Sequence, residues 1–413
     1  MFESASPEQL GFSSARLARI NAWTNELVRS GKLAGSSVLV MRHGQCARFH
    51  TAGTLAIERS DPIAADTLFR IYSMTKPITS VAVMMLYEQG LFQLDDPISN
   101  YLPEFTAPSV YVGGDGDTLE LEAAHSPITI RQLLTHTSGL AHAVRGDTPI
   151  HRLYRQHQID FGAGVGTLAE MTQKLAALPL LFQPGTRWNY GVSTDVLGRF
   201  VEVVSGKSLD AFFAQEIFSP LGMNDTGFSV DGAKVHRLST LYTLPTSPEG
   251  ITQASPLTQL DPGVGGHYTQ PITLYSGGGG LVSTTYDYLQ FLLMLRRGGE
   301  LNGHRLLGRK TVSFMQQNHL PGTMRDMGVP VFNSDTHLGE GLGFGLGFAV
   351  VLDPAKAQVL GSAGEAFWTG VGGTQFWMDP VEDLIVIQMA QMRPSTLVPT
   401  RRTLRALVYQ ALT

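Results

Sequence analysis

"IYSMTKPITS" occupies residues 71–80, and its reading decides the fold. It lies where strand character gives way to helix character, with Ser73 and Lys76 three residues apart at the change. On a helix that spacing brings two side chains onto adjacent turns of one face. Ser73 falls where first-turn N–H groups are unpaired and the helix dipole favours developing negative charge. Pro77 supports a helix start close by, since proline is tolerated only near a beginning. A free serine is a weak nucleophile and needs a neighbouring base. Lys76 can serve only where burial and a second polar group make its ammonium easier to deprotonate, and the apolar run "ITSVAVMML" supplies the burial. The competing reading makes Ser73 a plain helix cap, and the motif by itself does not separate the two.

Outward from this stretch, residues 14–30 place Leu17, Ile20, Trp23 and Leu27 at helical spacing behind serine caps. "SSVLVMRHGQCARFHTAG" reads as two strands around a turn near His43 and Gly44. Far downstream, "GFGLGFAVVLD", "GGTQFWMDP" and "DLIVIQMAQM" are three more strand-like runs, followed by a final helix over about 399–412. Strands at both chain ends imply an α+β fold, one antiparallel sheet with helices on its faces. Residues 77–225 read as an inserted, mostly helical lobe. "TIRQLLTHTSGL" is a helix ending at Gly139, with His136 near its end; "STDVLGRFVEVVSG" is capped by Ser193 or Thr194; "SLDAFFAQEIFSPLG" starts at Ser208 and stops before Pro220. The expected division is therefore 1–76 with 226–413 as the sheet lobe and 77–225 as the helical lobe. A cleft between two lobes is a favourable place for a site. Residues 229–275 show little periodicity and read as a long connection able to cover it.

The chain has 413 residues and a formal charge of −5, with 35 acidic against 30 basic side chains. That balance argues against a nucleic-acid partner, and no apolar window is long enough for a membrane span. Cys46 is the only cysteine, so no internal disulfide forms, and the N-terminus lacks the pattern of a secretory signal. The expectation is a cytoplasmic protein, monomer or homodimer. No Gly-x-Ser-x-Gly and no His-Glu-x-x-His occurs. "SGKS" at 205–208 lacks the first glycine of a phosphate loop, and "GGDGD" at 113–117 lacks the glutamate of a calcium loop.

Five segments in order, "FRIYSMTKPITSVAVMMLYEQGLFQLDDPISNYLPEF", "ITIRQLLTHTSGL", "LPLLFQPGTRWNYGVSTDVLGRFVEVVSGKSL", "SGGGGLVSTTYDYLQFLLMLRRGGEL" and "WTGVGGTQFWMDP", resemble the serine β-lactamase and penicillin-binding-protein superfamily. Within it the chain is most similar to the family VIII carboxylesterases of the class C-like branch, over about residues 7–410. The resemblance implies Ser73 as nucleophile, Lys76 as base partner and Tyr190 of "NYGVS" as the second motif's tyrosine. It implies Trp368-Thr369-Gly370 as the third motif lining the site, and the backbone N–H groups of Ser73 and Val371 as the oxyanion hole. No metal or organic cofactor is implied.

The chain departs from the β-lactamase pattern at two points. Val192 stands where Tyr-x-Asn has asparagine, and Trp368 where Lys-Thr-Gly has lysine. A site lacking polar partners for an anionic lactam favours small, uncharged esters. The expected activity is hydrolysis of such esters through an acyl-enzyme on Ser73. Alternatives are acyl transfer to an alcohol or amine, β-lactamase or D-amino-acid peptidase activity, and a non-catalytic binding scaffold.

Overall fold

A computed structural model describes residues 2–162, 164–245, 256–329 and 340–413. Helix α1 (Ser14–Arg29) starts at Ser13, whose side chain accepts the Arg16 N–H, and buries Leu17, Ile20 and Leu27. Strands β1 (Gly35–Arg42) and β2 (Gln45–Gly53) turn at His43 and Gly44, both at positive φ. Helices α2 (Thr75–Glu88), α3 (Ser193–Ser205) and α4 (Thr285–Arg296) follow. The chain closes with strands β3 (Leu342–Phe344), β4 (Ala349–Val351), β5 (Ala366–Gly370), β6 (Thr374–Asp379) and β7 (Leu384–Ala390), then helix α5 (Arg401–Tyr409).

The seven strands form one antiparallel sheet in the order β3-β4-β5-β6-β7-β1-β2. β1 pairs with β7, with Leu39 opposite Ile387, so the two ends of the chain meet at a central ladder. Alternate residues face opposite sides. Val38, Val40, Trp377 and Val386 pack under α1 and α5, with Leu17, Ile20, Leu404 and Val408. Leu39, Phe376, Ile387 and Met389 point the other way, into a core shared with Ile78 of α2 and Tyr288 and Phe291 of α4. α2 is buried from Thr75 to Met84, which is why its sequence shows no polar stripe.

Several local expectations give way to tertiary structure. The "TIRQLLTHTSGL" helix spans only Ile130–Leu134, and His136 follows it at φ 58°. α3 begins after Val192, and neither Ser193 nor Thr194 caps it; the Ser193 hydroxyl pairs instead with Ser138 at 2.9 Å. The helix begun at Ser208 widens into a π-helical stretch, Phe213–Phe218, and passes through Pro220 to stop at Gly222, φ 69°. Of the 229–275 connection, residues 246–255 lie outside the described residues. The rest carries a 3-10 turn, Gly232–Arg237, and a strand pair, Leu241–Thr243 with Thr258–Asp261.

On the α5 face, the fully buried Glu365 carboxylate lies 2.5 Å from the Arg405 guanidinium, and Tyr409 donates to it at 2.8 Å. Burial pushes the Glu365 carboxyl up, and the Arg405 charge opposes that. Arg405→Leu leaves the carboxylate buried without its cation and is expected to cost about 3–5 kcal/mol. The urea unfolding midpoint at neutral pH measures it; an unchanged midpoint contradicts the expectation.

Candidate active site

Ser73 sits in a 3-10 turn, Tyr72–Met74, just ahead of α2 rather than inside its first turn. Tyr72 adopts φ 45°, a left-handed conformation that costs a non-glycine residue roughly 1–2 kcal/mol. The end of β5 braces this turn. The Thr374 hydroxyl donates to the Ile71 carbonyl at 3.2 Å, and a Cβ on Gly370 would lie 2.4 Å from that same oxygen. A Cβ on Gly372 would lie 2.7 Å from the Tyr72 ring. Only glycine permits this approach, and Val371, between these two glycines, borders the same cavities as Ser73.

Lys76 is 5% exposed and donates to the Ser73 hydroxyl oxygen at 3.3 Å and to the Gly278 carbonyl at 2.5 Å. Tyr190 lies in irregular chain just before α3. The Asn189 amide N–H donates to the His136 carbonyl at 2.9 Å and the Val192 N–H to the Ala141 carbonyl at 3.0 Å, clamping the segment in place. Its phenol makes hydrogen bonds with Lys76 and Ser73. Two cations flank the ring, Lys76 Nζ and Arg145 Cζ, each 4.6 Å from its centroid. Burial acts to raise the phenol, but the Lys76 charge, then Arg145, and the two hydrogen bonds outweigh it and hold Tyr190 below the ordinary tyrosine range. His142 is pushed down to about 3, by burial first and then by Arg145 and Lys76, so its imidazole is neutral beside the cleft.

The hydroxyl, amine and phenol singled out in the sequence therefore meet at one place. Trp368 borders the smaller cavity, while its indole N–H is buried, with no partner among the described residues. The ring packs on Tyr190 at 5.4 Å and on Phe344 at 5.4 Å, walling the site. Thr369 faces open space, whereas Gly370 is spent on the approach to Ile71. Two cavities meet at Ser73. One, of about 500 Å³, runs along Trp368, Thr369 and Phe367; the other, of about 1080 Å³, runs past Lys76, Phe161, Tyr268 and Leu260. Ser73, Tyr190, Val371 and Arg145 border both.

Three participants were invisible in the sequence. Arg145 carries no motif. Asp195 reads as an ordinary helix residue, yet its carboxylate accepts from Ser276 at 2.6 Å and from the Gly278 N–H at 2.9 Å. Arg70, fully buried, pairs with Asp261 at 2.6 Å and donates to the Ser239 carbonyl at 2.6 Å, tying the 229–275 connection to the strand that leads into Ser73.

The Beta-lactamase family model matches residues 20–410. Esterase EstB of Burkholderia gladioli is 32% identical over 404 residues, covering 93% of each chain. Lovastatin esterase of Penicillium rubens is 30% identical over 330 residues, 78% of each. Among solved structures, EstCE1, described as a hydrolase with promiscuous acyltransferase activity, superimposes with a TM-score of 0.77 at 28% identity, covering 98% of this chain and 99% of its own. The chain belongs to the Beta-lactamase family, on the side of it occupied by the family VIII carboxylesterases.

Proposed function

We propose that the protein is a carboxylic ester hydrolase that works through an acyl-enzyme on Ser73. The observation that carries this reading is the convergence of the Ser73 hydroxyl, the Lys76 amine and the Tyr190 phenol where two cavities join. Tyr190, sharing a proton with Lys76, takes the Ser73 proton as the oxygen attacks the ester carbonyl. The oxyanion is received by the Ser73 and Val371 N–H groups, each such donor being worth about 3–4 kcal/mol in the transition state. The proton passes to the departing alkoxide, which leaves as the alcohol. A water then repeats the attack on the acyl-enzyme and releases the acid. Thr369 and the Trp368 ring line the acyl side, and residues 260–274 line the other. The esterase names of the relatives support the reaction class.

A fluorophosphonate tests this directly. Mass spectrometry of the labelled protein is expected to place the adduct on Ser73, in parallel with loss of short-chain nitrophenyl ester turnover. Labelling elsewhere, or turnover that survives full labelling, removes the proposal.

The apolar side chains of Val192 and Trp368 favour uncharged esters over anionic lactams. An apolar pocket discriminates against a substrate that carries an extra polar group by about 10²-fold. We therefore expect kcat/KM for a nitrophenyl ester to exceed that for a chromogenic cephalosporin by that order, and comparable values contradict it. A second reading, acyl transfer, is favoured by the two separate cavities at Ser73, one free to hold an acceptor while the other holds the acyl group. Added alcohol that partitions product into a new ester supports it. Cys46, buried with its thiol pushed up to about 11 by that burial, suits the reducing cytoplasm. Among the described residues no helix is long and apolar enough to cross a membrane.

A further inference from the structure

We infer that Asp195 is a positioning residue for this reaction: its buried carboxylate fixes the glycine turn at 276–280 so that the Gly278 carbonyl holds the Lys76 amine against Ser73 and Tyr190. The inference rests on the proposed role of Ser73 and deepens it.

Three links form a continuous chain from α3 to the amine. Asp195 Oδ1 accepts from the Ser276 hydroxyl at 2.6 Å and from the Gly278 N–H at 2.9 Å. The carbonyl of that same Gly278 accepts from Lys76 Nζ at 2.5 Å, shorter than the 3.3 Å separating Nζ from the Ser73 oxygen. The shorter bond is the one that fixes where the amine points. Asp195 stands in the first turn of α3, where a carboxylate commonly serves its own helix. Here both hydrogen bonds accepted by Oδ1 leave the helix for the turn.

The turn is built to be held this closely. A Cβ on Gly278 would lie 2.4 Å from Asp195 Oδ2, and one on Gly277 would lie 2.8 Å from the Thr194 carbonyl. From the opposite side, the Thr79 hydroxyl of α2 donates to the Gly277 carbonyl at 2.7 Å. Two buried helices thus clamp consecutive peptides of "SGGGG", and the glycines exist to let them do so. Asp195 is 5% exposed, and burial raises its carboxyl while the Lys76 charge and the two hydrogen bonds oppose that rise. A buried carboxylate satisfied by a turn whose next atom grips the reacting amine is an arrangement for orienting that amine.

The test compares Asp195→Ala, Asp195→Asn and Ser276→Ala with the wild-type protein, reading the rate of fluorophosphonate labelling, kcat and KM for a short-chain nitrophenyl ester, and the melting temperature. Misplacing a reacting group through a remote contact costs up to about a hundredfold, and that loss in kcat and in labelling rate is expected for Asp195→Ala, with KM within about twofold. Asp195→Asn keeps an acceptor oxygen and Ser276→Ala keeps one of the two bonds, so each is expected to lose only about three- to tenfold. A folded Asp195→Ala with wild-type labelling rate overturns the inference, as does a loss carried by KM alone. Should that variant not fold, wild-type labelling rates in both milder variants overturn it equally. Ser73→Ala runs alongside: if it retains ester turnover, the proposed function fails instead, so the two failures are told apart.

Discussion

Ser73→Ala is expected to lower ester turnover by between about ten-thousandfold and a millionfold while leaving the fold intact. The size follows from what the substitution removes. Acylation needs an electron pair at the carbonyl carbon, and the Ser73 oxygen, which borders both cavities together with Val371, is the group proposed to supply it. What remains is transition-state binding by the two N–H groups and the cleft walls, enough for a residual rate above that in water. The fold survives because the Ser73 side chain makes little of it. Its hydroxyl accepts the 3.3 Å contact from Lys76, which keeps a 2.5 Å bond to Gly278 in the variant. Losing one such contact costs about 1 kcal/mol or less. Turnover of a short-chain nitrophenyl ester, with melting temperature as the control, decides the matter. Activity retained within tenfold in a folded variant means that another nucleophile acts, and the acyl-enzyme scheme is then wrong.

The elements that carry Ser73 were legible because their physics is local. α1 shows its apolar positions at helical spacing, and the C-terminal strands show as apolar runs broken by glycine and Asp-Pro. That β1 would pair with β7 was readable only as strands at both chain ends; the register of Leu39 with Ile387 is a long-range fact that no window of sequence contains. The same distinction runs through the site. Ser73 and Lys76 share one short segment, and Tyr190 was picked out by the family resemblance, its place just ahead of a helix being consistent with that role. Arg145 and Asp195 act only through where the chain returns. Asp195 lies three residues past Val192, at the position where the family's asparagine was missing, so a polar residue was present one turn along. Its partner is a glycine backbone N–H 83 residues away, and no side-chain motif announces a backbone N–H. The orientation of the Trp368 ring has the same origin: it is set by Tyr190 and Phe344, which pack on it from elsewhere in the chain while its N–H is buried.

Tyr190→Phe carries the second large expected effect, and its pH dependence matters more than its size. General-base removal by a positioned group contributes about 10²–10⁴-fold, so kcat/KM is expected to fall by that factor. The phenylalanine ring keeps its packing against Trp368, His136 and both flanking cations, so binding and fold are little disturbed. In the wild type the acceptor form of the coupled Lys76–Tyr190 pair is the deprotonated one, and activity must therefore fall as pH drops through its titration. Because the Lys76 and Arg145 charges overcome burial and hold the phenol below its ordinary value, that acid limb lies below the pH near 10 at which a free tyrosine titrates. Removing the hydroxyl should remove or displace the limb along with the rate. Arg145→Gln, which leaves the hydroxyl but withdraws one of its two cations, should instead move the limb to higher pH. A Tyr190→Phe variant with a wild-type limb would assign the proton to Lys76 alone. The phenol would then be part of the wall, and the cation pair around it would need another explanation.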